Sequence, residues 1–402
     1  MNRDRLHFLF LNIGHFLDHL FTLVFATVAA LALTGEWGLS YDQLIPYGIA
    51  GFVAFGVFSL PAGRLADSWS REGMIAVFFI GIGLSSIATS YAQTPMQLGI
   101  GLFVVGIFAA IYHPVGLAIV VSRYAKTGIA IGINGVWGNL GVGSAALITG
   151  YFIDHGGWRS AFVWPGVVSI LIGIAYTIVL WPEITAPKKP VVAAERGPPM
   201  SRDVKALFIR LTAIMFFTTA VSGIIFQSTT FALPKVFAER LGGIAGSATS
   251  LGWLTFMVFA GAAVAQLIVG TLLDRIGPRR VFMAVAIIQI VFFAAMPGLH
   301  DWAALLVALA FMLGAFGQIP INDYMIGRFA KSELRASVYG ARYVVSFLSL
   351  GGALMLIPWV YRNWGFDRLF EILAVAAAVI LCAVTLLPER IPSADDMVPA
   401  KA

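Results

Sequence analysis

Twelve separate stretches of this chain are each about as long and as apolar as a bilayer is thick. They fall at approximately 8–33, 43–65, 73–92, 97–121, 127–151, 159–181, 205–232, 247–272, 279–297, 303–326, 336–360 and 366–388. A spanning helix needs about 20 mostly apolar residues to cross a hydrocarbon core of ~30 Å. In lipid the backbone must satisfy its own N–H and C=O groups, which leaves helices and closed barrels. The alternating pattern of a β-barrel is absent, so the expected class is an all-α integral membrane protein. Charge content agrees: 11% of residues are charged, against roughly 25% in soluble domains. The first stretch is too long for a signal h-region, and no small-residue cleavage site follows it. The single cysteine, Cys382, excludes an internal disulfide and a cysteine-based metal cage. No cofactor is expected.

Loop charges give the orientation. With the N-terminus inside and loops alternating, twenty of the 26 Lys and Arg residues fall on the inner side. Five fall outside: Arg159, Lys235, Arg240, Arg362 and Arg368. Arg342 lies within a helix. Cytoplasmic loops carry the excess of basic residues, so both termini are expected in the cytoplasm. The net charge of +6 is then accounted for by topology, and no nucleic-acid partner is expected.

The chain reads as two halves on one plan. The stretch "PEITAPKKPVVAAERGPPMSRD", residues 182–203, is rich in Pro and charge, as a linker is. Expected boundaries are a six-helix bundle over 1–181, a cytoplasmic linker over 182–204, a second bundle over 205–390 and a tail over 391–402. Four matches recur in the same order. Gly63 and Asp67 correspond to Gly270 and Asp274 at an offset of 207, and "GIFAAI" (106–111) to "GAFGQI" (314–319) at 208. "RYAK" (123–126) corresponds to "RFAK" (328–331) at 205, and "GWRSAF" (157–162) to "GFDRLF" (365–370) at 208. A parallel repeat of six-helix units is one recognised transporter plan.

The loop after the eighth stretch, Gly270, Asp274, Arg275, Gly277, Arg279 and Arg280, resembles the signature loop of the major facilitator superfamily. Its first copy keeps Gly63, Asp67 and Arg71, with Ser68 and Ser70 where the motif has Arg and Gly. "GGWRSAF" after the fifth helix is also similar to that superfamily. The resemblance implies two pseudo-symmetric six-helix bundles in a multi-pass protein of the bacterial inner membrane, usually a monomer. It also implies that both loops act as cytoplasmic gates. In them Gly permits close approach, the Asp faces a helix N-terminus, and the basic groups tie the loop down.

Titratable and other polar groups inside the membrane are costly and mark function by default. Here they are few. The first helix carries His15, Asp18 and His19, spaced i, i+3 and i+4, so they share a broad face. His113 lies in the fourth helix, Asn134 and Asn139 in the fifth, Gln227 in the seventh, and Gln318, Asn322 and Asp323 in the tenth. Asp323 and Arg342 are expected to pair. The resemblance implies that helices one, four, seven and ten line a central cavity, which Asp18 and His113 would both face. In helix seven the positions 208 residues on are Gly223, Phe226 and Gln227, none titratable. Proton handling is therefore expected in the first half. Cargo contacts are expected at Asn139, Phe226, Gln227, Phe231, Trp253, Phe316, Gln318 and Asn322, whose rings and amides suit an amphipathic organic molecule.

A finer likeness is to fosmidomycin-resistance-type efflux proteins. It rests on His15, "YHP" (112–114) and Gly138 and Asn139 of "WGNLG" (137–141). Where that family has Asn-Asp, this chain has Asp18 and His19. The acid is displaced by one residue, a rotation of about 100°. The expected function is a secondary transporter of a small organic solute, coupled to protons and working as an exporter. Desolvation favours a neutral carboxylic acid and a nearby imidazolium favours the carboxylate, and a cavity opening to alternate sides changes both influences. The alternative is a divalent-metal transporter with His15, Asp18, His19 and His113 as ligands. No nucleophile–base constellation suggests an enzyme.

Overall fold

The computed structural model describes residues 3–123, 127–186, 202–329 and 332–389. Most of the expected linker, the tail over 391–402, and Lys126, Lys331 and Arg390 lie outside the described residues. Every element among the described residues is helical. Helices α1 to α6 are Arg3–Trp37, Tyr41–Ser68, Arg71–Thr89, Pro95–Arg123, Thr127–Gly156 and Ser160–Thr185. Helices α7 to α10 are Arg202–Arg240, Ala248–Ile276, Pro278–Ala295 and Asp301–Phe329. The last helical stretch, Ser332–Thr385, is broken at Gly365, whose φ of 74° and ψ of −173° no helix contains. It comprises α11 (332–364) and α12 (366–385).

Local chemistry sets several of these boundaries. Ser70 caps α3 by accepting from the Gly73 N–H at 3.0 Å. Thr94 does the same for α4 ahead of Pro95, a residue suited to the first helical position. Inside α4 the helix is interrupted between Ala109 and Tyr112. Pro114 is the cause: it has no N–H for the carbonyl of residue 110, and its ring crowds that carbonyl.

Two compact units are present. One comprises Met1–Lys189 with Thr230–Ala260, the other Pro190–Thr229 with Gly261–Ala402. In the first, α3 packs on α6, α1 on α5 and α2 on α4. Small residues permit this. A Cβ on Gly141 of α5 would lie 2.2 Å from the Phe16 carbonyl oxygen of α1, and one on Gly106 of α4 2.0 Å from the Gly51 oxygen of α2. Such close backbone approach is the usual way membrane helices associate. In the second unit α9 packs against α10 and the stretch containing α11 and α12. Large apolar side chains face outward, among them Val57, Leu60, Leu171, Ile178 and Leu267. In water these would form an unstable surface; in lipid they are in their own solvent.

Candidate functional site: a buried carboxylate–imidazole cluster

In the first unit α1 and α4 bring four titratable side chains together. Asp18 is 1% exposed, and its Oδ2 lies 3.3 Å from Nε2 of His113, itself 22% exposed. Neither Asp18 oxygen has a partner in hydrogen-bonding geometry among the described residues. His15 and His19, one turn apart, have their Nε2 atoms 3.2 Å from each other. The His113 ring meets both edge-on, with centroids 5.1 Å from His15 and 5.4 Å from His19. The interruption caused by Pro114 falls immediately before Tyr112 and His113, where α4 delivers both rings to the cluster.

Residues that sequence reasoning did not assign to the site support it from behind. Tyr112 stacks on His15 at 5.0 Å. Its hydroxyl donates to the Leu11 carbonyl at 2.6 Å and accepts from the Asn134 side-chain amide at 2.9 Å. The same amide donates to Asn12 Oδ1 at 3.0 Å. The Asn134 backbone carbonyl lies 2.8 Å from Nδ1 of His15. Asn12, Tyr112 and Asn134 are all buried. Their one sequence signal was polarity at membrane depth, and that does not reveal a partner more than a hundred residues away.

The other predicted residues are dispersed. Phe231 is buried against Phe25 and Phe52, with centroids 6.3 and 6.0 Å away. Asn139 is half-buried on α5, and Trp253 is exposed on α8. In the second unit Phe226 packs on Phe316 at 5.2 Å, and Gln227 is half-buried one residue on. Gln318 is buried and donates to Gln289 Oε1 of α9 at 2.6 Å, and Asn322 is buried nearby on α10. Asp323 and Arg342 form an ion pair. Of the loop residues, Asp67 pairs with Arg71 at 2.9 Å, and a Cβ on Gly63 would sit 3.6 Å from Pro114. Gly277 starts α9 with φ 84°, a conformation that favours glycine. Arg279 donates to the Thr385 carbonyl at 3.0 Å. Asp274, Arg275 and Arg280 are exposed, and Gly270 has open space around it.

A helical bundle built for lipid, with glycine-mediated contacts and a titratable cluster buried at membrane depth, defines a multi-pass α-helical membrane protein of the transporter class. The chain belongs to the Major Facilitator Superfamily, which it matches over residues 11–243 and again over 215–401. It is a secondary transporter, not an enzyme. It is similar to the gallate transporter of Pseudomonas putida, with 25% identity covering 88% of this chain and 85% of that one. It is also similar to the 4-hydroxybenzoate transporter PcaK of Pseudomonas putida, with 27% identity over 63% of this chain and 54% of that one. The multidrug resistance protein MdtG of Klebsiella pneumoniae is 23% identical over 92% and 88% of the two chains. Among solved structures, a bacterial homolog of the human lysosomal transporter Spinster, inward-facing and unoccupied, shares the fold. The TM-score is 0.67, at 16% identity, over 96% of this chain and 95% of that one.

Proposed function

We propose that the protein is a proton-coupled exporter of a small amphipathic organic solute, an antiporter in the bacterial inner membrane that works as a monomer. The observation that carries this reading is Asp18, a carboxylate 1% exposed with His113 at 3.3 Å. An unneutralised carboxylate is costly at that depth. The group facing it is His113 from α4, whose ring also meets those of His15 and His19 from α1. Opening the cavity to one side hydrates Asp18 and weakens its pairing with His113. Opening it to the other restores both, so the proton is taken up and released on different sides.

The cargo is proposed to meet the rings and amides of the second half, Phe226, Gln227 and Phe316 among them, together with Asn139, Phe231, Trp253, Gln318 and Asn322. The named substrates of two relatives, gallate and 4-hydroxybenzoate, favour a small aromatic acid or phenol. The six-helix halves are proposed at 1–181 and 205–390, joined through 182–204. The loops at Gly63–Asp67–Arg71 and Gly270–Arg280 would gate the cytoplasmic side, and the Asp323–Arg342 pair would be structural. In proteoliposomes, Asp18→Asn is expected to lose transport driven by a pH gradient and to keep counterflow exchange of labelled 4-hydroxybenzoate or another accepted solute. Gradient-driven transport by that variant would refute the coupling assignment.

One observation favours a second reading. Ring nitrogens of His15, His19 and His113 all lie within 4.8 Å of one another, a spacing suited to a divalent ion as cargo. Zn²⁺, Mn²⁺ or Fe²⁺ would then raise the thermal stability of the wild type but not of His19→Ala. No shift with any of the three removes this reading.

A further inference from the structure

We propose that Asp154 is a detachable cap on α8, a positioning residue that holds the start of α8 against α5 and whose release opens the outer side of the transporter. The latch depends on the proposed six-helix halves, and on neither the coupling ion, the cargo nor the direction of transport.

By sequence α7 and α8 belong to the second half. Yet Thr230–Ala260, which takes in the end of α7 and the start of α8, is part of the first compact unit. With both termini cytoplasmic, α8 begins on the outer side, where α5 ends at Gly156. Alternating access moves one six-helix half against the other. A contact that ties the start of α8 to α5 must therefore be made and broken in each cycle.

The first N–H groups of a helix have no partner within it. At α8 two sources supply one. Ser247, just ahead of the helix, accepts from the Ser250 N–H at 3.1 Å, and the Ser250 hydroxyl accepts from the Ser247 N–H at 3.0 Å. This is a reciprocal local cap. The N–H groups of Ala248 and Thr249 are left over, and both donate to Asp154, at 3.3 Å to Oδ1 and 2.7 Å to Oδ2. The Thr249 hydroxyl donates to the same Oδ2 at 2.5 Å. The carboxylate also meets the positive end of the helix dipole. The local cap stays with α8 whatever α5 does. The Asp154 cap comes from a different helix, 94 positions before Ala248, and leaves with it.

One turn below Asp154 the two helices meet backbone to backbone. A Cβ on Gly150 would lie 2.3 Å from the Ala248 carbonyl oxygen, and one on Gly252 2.6 Å from the Ala146 carbonyl oxygen. Further in, a Cβ on Gly143 would come 3.2 Å from that of Phe259. Glycines on both faces let α5 and α8 lie flush, and at these points no side chain has to disengage when they part. The polar tie at the outer end is Asp154, which is exposed. Water can replace each of its hydrogen bonds as it withdraws, so the cap biases the position of α8 and its loss strands no buried polar group.

Two measurements test this, both on the full chain carrying Cys382→Ser. The first is pulsed EPR in nanodiscs between spin labels at Gln93→Cys and Gly246→Cys, two exposed outer positions. Adding Asp154→Ala is expected to raise the ratio of longer to shorter distances by about fivefold, as loss of a typical N-cap implies. Asp154→Asn keeps one acceptor oxygen and should fall between. Ser247→Ala removes only the local cap and should leave the ratio unchanged. An unchanged ratio in Asp154→Ala overturns the proposal. So does an equal shift in Ser247→Ala, which would reduce Asp154 to a helix-end stabiliser. If Asp154→Ala does not fold, Asp154→Asn is judged by the same criterion. The second joins Asp154→Cys to Thr249→Cys with a short bifunctional thiosulfonate and follows counterflow exchange of labelled 4-hydroxybenzoate in proteoliposomes. Exchange is expected to stop on cross-linking and to return on reduction. Undiminished exchange after complete cross-linking would show that α5 and α8 do not part, and the latch and the moving halves would fail together. Blocked exchange with unchanged distances in Asp154→Ala would fail the latch alone. Should the wild type not exchange this solute, the distances decide.

Discussion

His113 Nε2 stands 3.3 Å from the carboxylate of Asp18, the residue of the cluster most fully removed from solvent. Their helices are α1 and α4, and 95 positions separate them in sequence. Removing the imidazole alone leaves a buried carboxylate without its neighbour; removing both leaves no charge to solvate. His113→Ala is therefore expected to lower stability more than Asp18→Asn/His113→Ala does, with a coupling of about 0.5–3 kcal/mol. Unfolding of the three variants in one detergent measures it. Losses in the two single variants, Asp18→Asn and His113→Ala, that sum to the loss in the double variant would show that the two groups do not interact.

The α1–α5 contact depends on Gly141, where a Cβ would come 2.2 Å from the Phe16 carbonyl oxygen. A backbone atom cannot rotate away as a side chain can. Gly141→Ala should force the helices apart at a cost of about 1–3 kcal/mol, seen as a lower midpoint in thermal unfolding. Gly135→Ala, on the same helix with open space around it, should unfold like the wild type. If Gly141→Ala matches it, the close approach carries no stability.

Much of this was legible before any coordinates. Apolar run length gave the helices, and the i, i+3, i+4 spacing of His15, Asp18 and His19 put them on one face. Run length does not show the interruption of α4, which falls between Ala109 and Tyr112, ahead of Pro114. The Asn12–Tyr112–Asn134 network was not legible. Its bonds join residues 22 to 123 positions apart, and an amide at membrane depth suits a cavity wall and a helix contact equally. Gln318 illustrates this: it was grouped with the cavity residues, and its amide is engaged by Gln289 of α9. A helix apolar on every side has no polar stripe to say which way such a residue points.

Tyr112→Phe tests that network. The hydroxyl both donates to Leu11 and accepts from Asn134, so its loss leaves a buried carbonyl and a buried N–H with one partner fewer. The expected destabilisation is about 1–3 kcal/mol, with no loss of ring stacking on His15. Hydrogen exchange at α1 and α5 should rise together in the variant. Faster exchange confined to α4 would mean that the hydroxyl does not tie the three helices.

Arg342 supplies the last prediction. It is held by Asp323, with side-chain exposures of 17% and 48%. The guanidinium is the more buried partner and always charged, so it loses more when left alone. Asp323→Asn should therefore reduce the yield of folded protein more than Asp323→Asn/Arg342→Gln, which removes both charges and keeps polar side chains at both positions. If the pair is structural, the double variant regains folded yield, and its counterflow exchange keeps the wild-type KM. A restored yield with a raised KM would instead place Arg342 in contact with the cargo. Size-exclusion profiles and exchange assays on the same preparations separate the two outcomes.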